Sequence, residues 1–242
     1  MKNLNFLGII TVMLALISSS CKKDKAPNQL IDIERNVYKT VQIGNQVWMA
    51  ENLKTTKLND GTPIAFVTDP TTWADVNLKV PMACYYDNDE NNLNKYGLLY
   101  NWYAVGTGKL APKGWHVASD ADWEKLRDYL IANGYNYDGT NFENKIGKSL
   151  AATSGWTASQ LMGVVGNNQL INNKSGFNGL PAGARSDSNG RFLDLGFNAY
   201  WWSLTEKDAF YSNHWGIYSD YSNLLTYDIS KGLGISVRCV KD

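Results

Sequence analysis

The residues with the most chemistry at stake are three cysteines, two histidines and one run of alternating acids and amides. Cys21 follows Ser18-Ser19-Ser20, a place where processing could leave a cysteine free for acylation. If Cys21 is used in that way, Cys84 and Cys239 remain as two thiols able to form a disulfide in an oxidising compartment. The alternative for this pair is two buried free thiols. The two histidines, His116 and His214, are too few and too far apart for the short spacings that zinc sites use. Asp87-x-Asp89-x-Asn91 begins like a calcium loop but has Asn92 where the turn glycine belongs and Leu98 in place of the closing Glu. It reads as a solvated turn, and no metal and no cofactor is expected. Nothing in the chain gives a Ser-His-Asp ordering, a phosphate loop or a paired-carboxylate signal.

The N-terminus says what becomes of Cys21. After Lys2 comes an uncharged, mostly apolar run from Leu4 to Ile17. That is a secretory leader core, too short for a comfortable membrane span. Small residues directly before a cysteine resemble a bacterial lipoprotein processing site. The usual Leu-like residue three before the cysteine is Ser18 here, with Ile17 one step earlier, so the match is relaxed. The alternative is an ordinary leader cut near Ser20. A free exposed thiol at a mature N-terminus is a liability, so lipidation of Cys21 is the expectation. The organisation is then a leader at 1–20, a polar tether at 21–36 and a single domain at 37–242.

Composition bounds the rest. The chain has 23 basic and 23 acidic side chains, and no basic stripe, so nucleic acid is not an expected partner. Aromatics at 12% with modest charge favour a folded, loop-rich domain over disorder.

The elements that must position these residues can be read in part. Val37 to Met49 alternates around Gly44-Asn45, a hairpin signal. Ala83 to Tyr86 reads as a short strand. Tyr96 to Val105 has Leu99, Trp102 and Tyr103 at helical spacing and predicts an aromatic helix. Ser119-x-x-Asp122 is a capping box opening a helix from Asp120 to about Asn133, with Trp123, Leu126 and Leu130 on one face. A short helix is expected within 144–151. Residues 154–190 are rich in Gly, Asn and Ser. Strands are predicted at Ala199–Leu204, Ala209–Tyr218, Leu224–Ile229 and Gly234–Val240. Helices in the first half and antiparallel strands in the C-terminal quarter indicate an α+β domain.

Six blocks, in order, carry a family resemblance: Ile43-Gly44-x-Gln46-x-Trp48-Met49-x-Glu51-Asn52-Leu53; Cys84-Tyr85-Tyr86-Asp87-Asn88-Asp89; Tyr96-Gly97-x-Leu99-Tyr100-Asn101-Trp102; Pro112-x-Gly114-Trp115-His116-Val117; Gly179-Leu180-Pro181-Ala182-Gly183 with Arg185; and Tyr200-Trp201-Trp202-Ser203-x-Thr205-Glu206. The chain closes on Ser236-Val237-Arg238-Cys239-Val240. These resemble the Fibrobacter succinogenes major paralogous domain, over about Val37 to the C-terminus. That family in turn resembles C-type-lectin-like domains and formylglycine-generating enzymes, through Gly114 to Glu124 and Trp202 to Glu206. The resemblance implies a C-type-lectin-like domain with paired terminal strands, two flanking helices and a long loop region. It does not carry over the oxidase chemistry, which needs two nearby late cysteines where only Cys239 stands. It does not carry over calcium-dependent sugar binding, because Glu-Pro-Asn, Gln-Pro-Asp and Trp-Asn-Asp do not occur. Glu206 is expected to be a structural acid bonded to backbone amides.

The functional expectation is a non-enzymatic lipoprotein of the bacterial cell envelope, at the outer membrane, held by its N-terminal lipid and binding or adhering to a glycan or envelope protein. The alternatives are a protein-binding accessory subunit of a surface complex and, least favoured, a glycan-active enzyme. In lectin-like domains ligands meet the late strands and adjoining loops. Here that implies Asn213, Trp215, Tyr218, Asp220, Tyr221 and Asn223. Strand alternation puts Trp215 and Tyr218 on opposite faces, so one of them belongs to the core.

Overall fold

The computed structural model describes residues 29–242; Cys21, the expected leader at 1–20 and residues 21–28 of the expected tether lie outside the described residues. In chain order the elements are β1 (Gln29–Ile31), β2 (Val37–Ile43), β3 (Gln46–Met49), β4 (Ala65–Phe66), α1 (Pro70–Trp73), β5 (Met82–Cys84), α2 (Leu93–Tyr96), β6 (Leu99–Tyr100), α3 (Trp102–Val105), β7 (Trp115–Val117), α4 (Asp120–Ala132), α5 (Gly147–Leu150), β8 (Ala182–Arg185), β9 (Phe192–Leu195), β10 (Asn198–Glu206), β11 (Tyr211–Tyr218), β12 (Leu225–Ser230) and β13 (Cys239–Lys241). The domain is α+β, and every strand pair except β4–β5 is antiparallel.

A five-stranded sheet, ordered β1-β2-β3-β13-β7, joins the two ends of the chain. Val240 pairs with Trp48 on one side and with His116 on the other. Side chains alternate across a strand, and here both faces are buried. Met49, Val117 and Cys239 enter one apolar core, while Trp48, Ala118 and Val240 enter a second. The three-stranded sheet β10-β11-β12 works the same way: Trp202 joins the first core and Trp201 the second. Two adjacent tryptophans can both be buried only because cores lie on both sides of the strand. In the second core Trp123 sits within 4.7 to 6.1 Å of the ring centroids of Trp48, Trp201, Phe177 and Trp215.

α4 presents Trp123, Leu126 and Leu130 to that core, as the periodicity predicts. Its capping box is complete: Asp122 N donates to Ser119 Oγ (3.3 Å), and Ser119 N donates to Asp122 Oδ2 (2.9 Å).

Four expectations are corrected. The helix predicted for Tyr96 to Val105 is broken into α2, β6 and α3. Gly97 takes φ 74°, and a Cβ there would stand 2.7 Å from the Leu53 carbonyl oxygen, so the helix stops. Tyr100 then pairs with Ala83, and Asn101 Oδ1 accepts from Ala104 N to start α3. Residues 29–31, expected within a polar tether, instead form a strand: Gln29–Ile31 pairs with β2 and buries Leu30. The predicted strand at Gly234–Val240 is regular only from Cys239; Ile235 and Ser236 make single bridges to Tyr100 and Trp201.

The fourth correction concerns the cysteines. Cys84 and Cys239 are free buried thiols, not a disulfide. Cys84 belongs to a small third cluster with Trp73, Met82, Tyr86 and Leu99, whereas Cys239 lies in the first core. Burial pushes the Cys84 thiol up to about 11, with the Arg185 guanidinium offsetting this in part. Burial raises the Cys239 thiol further. Both behave as small apolar core residues.

Candidate ligand-binding cleft

One face of the β10-β11-β12 sheet carries a line of polar aromatics. Register puts Asn198 opposite Tyr218, Tyr200 opposite Gly216, and Tyr227 opposite His214. Alternation therefore gathers Asn198, Tyr200, His214, Tyr218, Leu225 and Tyr227 on the same side. Gly216 makes room among them. A Cβ there would sit 2.9 Å from the Ala199 carbonyl oxygen and 3.2 Å from the Tyr218 hydroxyl. Tyr218 packs edge-on against Tyr200 (5.7 Å) and Tyr221 (5.7 Å).

Where this face meets the 194–198 turn and the 218–221 loop, a cleft of about 370 Å³ opens. Its walls include Phe197, Tyr218, Tyr221 and Tyr227, with Asp194, Asn198 and Asp220 between them. Phe197, Tyr221 and Tyr227 are each about half exposed, at 49%, 55% and 55%. Asp194 holds φ 64°, a left-handed conformation uncommon for a non-glycine residue. Its Oδ2 accepts from the Tyr200 hydroxyl (2.8 Å), which in turn accepts from Asn198 Nδ2 (2.7 Å).

The rim is held by backbone bonds. Val165 N donates to the Tyr221 carbonyl (3.1 Å), Gly166 N to the Ser219 carbonyl (2.7 Å) and Gly147 N to the Ser222 carbonyl (2.7 Å). Behind it the buried Lys148 ammonium donates to the carbonyls of Val164, Asn167 and Asn168. The loop carrying Asp220 and Tyr221 is thus fixed before any ligand arrives.

Burial, then the neighbouring Asp194, raises the Tyr200 phenol; burial, then Tyr227, raises that of Tyr218. Both remain hydrogen-bond donors at neutral pH. His214 is 3% exposed, and desolvation pushes it down to about 4. The Tyr227 backbone offsets that only in part, and no bond of good geometry reaches Nδ1. The imidazole is neutral.

Of the six residues proposed from sequence, Tyr218, Asp220 and Tyr221 line the cleft. Trp215 and Asn213 point to the other side of β11. Trp215 Nε1 donates to Asp120 Oδ1 (2.9 Å) and Asn213 Nδ2 to Asp120 Oδ2 (2.5 Å), fastening β11 to the start of α4. Asn223 Oδ1 accepts from Ser222 Oγ (3.1 Å) outside the cleft. Sequence reasoning missed Asp194, Phe197, Asn198 and Tyr227. The alternation of Leu225 with Tyr227 was their one local signal.

Other singled-out residues have structural partners. His116 bridges Asp242 Oδ1 (2.7 Å) and Asp122 Oδ2 (3.0 Å). Desolvation lowers its pKa, but the two carboxylates outweigh it and the net direction is up. Glu206 pairs with the buried Lys231 ammonium rather than with backbone amides. In the 87–91 turn Asp89 Oδ1 accepts from Asn91 N (2.9 Å) and Nδ2 (2.8 Å). Among the described residues no group of three His, Cys, Asp or Glu side chains is placed to hold a metal ion.

The profile of the Fibrobacter succinogenes major domain matches residues 41–241. The chain belongs to this family. The match begins inside β2 and ends at the last residue of β13, so the Fibrobacter succinogenes major domain takes in both sides of the central strand pairing and the whole cleft. No curated protein and no solved structure matches the chain significantly.

Proposed function

We propose that the protein is a lipid-anchored lipoprotein of the bacterial outer membrane whose domain binds a glycan without transforming it. The observation that carries this reading is the cleft itself. Exposed tyrosine and phenylalanine faces offer apolar surface to a sugar ring, and Asn198, Asp194, Asp220 and the phenols offer directional hydrogen bonds. The preformed rim limits the ordering cost of binding. A C-type-lectin-like assignment is supported by the joined terminal strands, by α4 beside them and by the long loops between α5 and β8. The anchor rests on the apolar run before Ser18-Ser19-Ser20-Cys21.

Full-length protein in detergent, screened on a glycan array, tests the reading. Tyr221→Ala should weaken binding about tenfold, roughly 1.4 kcal/mol, with the melting temperature nearly unchanged. Retention of full binding by a Tyr221→Ala, Tyr227→Ala double variant would remove the cleft from consideration.

A second reading, an accessory subunit binding protein, is favoured by a separate groove of about 450 Å³ along residues 73–79, closed by Phe210 and Tyr211. Val76 there is 77% exposed and Phe210 65%. Stoichiometric co-purification of an envelope protein, lost on Val76→Asp, would support it.

A further inference from the structure

We propose that the cleft selects ligands bearing a free ammonium group, and that its glycan is an amino sugar left unacetylated. This rests on the glycan reading above and sharpens it. The cleft walls hold two acidic side chains, Asp194 and Asp220, and no lysine or arginine. Among the described residues the Asp220 carboxylate has no hydrogen bond and no ion pair, although it stands between Tyr218 and Tyr221 on a rim fixed by backbone bonds. Asp194 gives only one oxygen to the Tyr200 hydroxyl. The basic side chains flanking this sheet are already committed. Lys207 pairs with Asp228 (2.7 Å), and Lys231 is buried against Glu206 and the Asp208 carbonyl. The cleft lining therefore carries negative charge alone, and the Lys148 ammonium behind the rim is spent on the carbonyls of Val164, Asn167 and Asn168.

The rings add to this. Aromatic faces attract cations through their quadrupole, most strongly where water is partly excluded. Tyr218 and Tyr221 meet at 67°, a corner formed by two rings, with Asp220 between them in sequence. An ammonium set there would be held by ring faces and by a carboxylate. A hydroxyl or an acetamido group at the same place would gain neither the ring nor the full charge attraction. An anionic sugar would be repelled.

The test uses full-length protein in detergent at low salt, at a pH where a sugar amine is protonated. Three probes are titrated by calorimetry: the β-1,4-linked glucosamine trisaccharide, its fully N-acetylated counterpart, and tetramethylammonium. The amine trisaccharide should bind at least about tenfold more tightly than the acetylated one, and Asp220→Asn should bring the ratio within about twofold. Equal or tighter binding of the acetylated sugar would overturn ammonium selection while leaving a glycan site. Binding of tetramethylammonium with neither sugar would uphold ammonium recognition and overturn the glycan reading. Binding of none of the three would overturn the proposal.

Discussion

Arg238 Nε donates a 2.7 Å hydrogen bond to Asn52 Oδ1, linking residues 186 positions apart. The same oxygen accepts from Trp201 Nε1 (3.0 Å), and Asn52 Nδ2 donates to the Tyr96 carbonyl and to Ser236 Oγ. The Arg238 fork also reaches the carbonyls of Met49, Phe177 and Asn178. Five segments of the chain, 49–52, 96, 177–178, 201 and 236–238, meet at this one amide and one guanidinium. Arg238 is fully buried with its ring-stacking partner Phe177 at 4.6 Å.

Asn52→Leu should be among the most damaging small changes. It leaves two buried donors, Arg238 Nε and Trp201 Nε1, without their acceptor. Each orphaned donor costs about 1–3 kcal/mol, more when charged, so a loss of about 3–5 kcal/mol is expected. Urea midpoints at constant slope measure it. A loss below about 1 kcal/mol would show that the amide is dispensable.

Asp120→Ala should cost about 1–3 kcal/mol, since Trp215 Nε1 is buried and Asp120 is its acceptor. The cleft lies on the other face of β11, so ligand affinity should follow the folded fraction only. A change in affinity without a fall in melting temperature would contradict this placement.

The two histidines should pull stability in opposite directions with pH. His214 titrates near 6.5 when unfolded and near 4 in the fold. The unfolded state therefore binds more protons between those values. Stability is complete above about 6.5 and falls as pH drops toward 4, by on the order of 3 kcal/mol. His116 is raised, so its contribution is complete below the ordinary histidine value and is lost as pH rises through its folded value. His214→Gln should flatten the acid limb of a urea-midpoint profile, and His116→Gln should leave that limb alone and remove a fall in stability above about pH 6.5. An unchanged acid limb in His214→Gln would refute the assignment.

Cys84 and Cys239 should both alkylate after unfolding without reductant, and neither should react in the native protein. Burial, raised thiol pKa and separate cores all slow thiolate attack. One cross-linked Cys84–Cys239 peptide in a non-reducing digest would show that the two thiols do pair.

Local signals in the sequence were faithful where structure is local. Ser119 and Asp122 lie three residues apart, and their capping box is complete. The hairpin around Gly44 and the strands after Asn198 are likewise short-range patterns. The helix predicted for 96–105 failed because Leu99 and Trp102 enter different apolar clusters and Tyr103 is only partly buried, so the three share no helical face. Tyr218, Asp220 and Tyr221 were named through the lectin-like resemblance, which points to one short stretch of late strand and loop, and they line one cleft. Asp194, Phe197 and Tyr227 were not, because the pairing of Asn198 with Tyr218 and of His214 with Tyr227 brings them there. The cysteine pairing failed because counting thiols carries no information about which core each enters.

The position of β13 has a consequence for biogenesis. It lies between β3 and β7, yet follows every other described strand in the chain. Until Cys239–Lys241 is synthesised, β3 and β7 face each other across a missing strand, and Arg238 cannot reach Asn52. The contacts that close the domain span nearly all of the described residues, which slows folding relative to a domain held by local contacts. A nascent chain built this way cannot complete its central sheet before β13 has emerged. That dependence of the whole sheet comes from the placement of three residues.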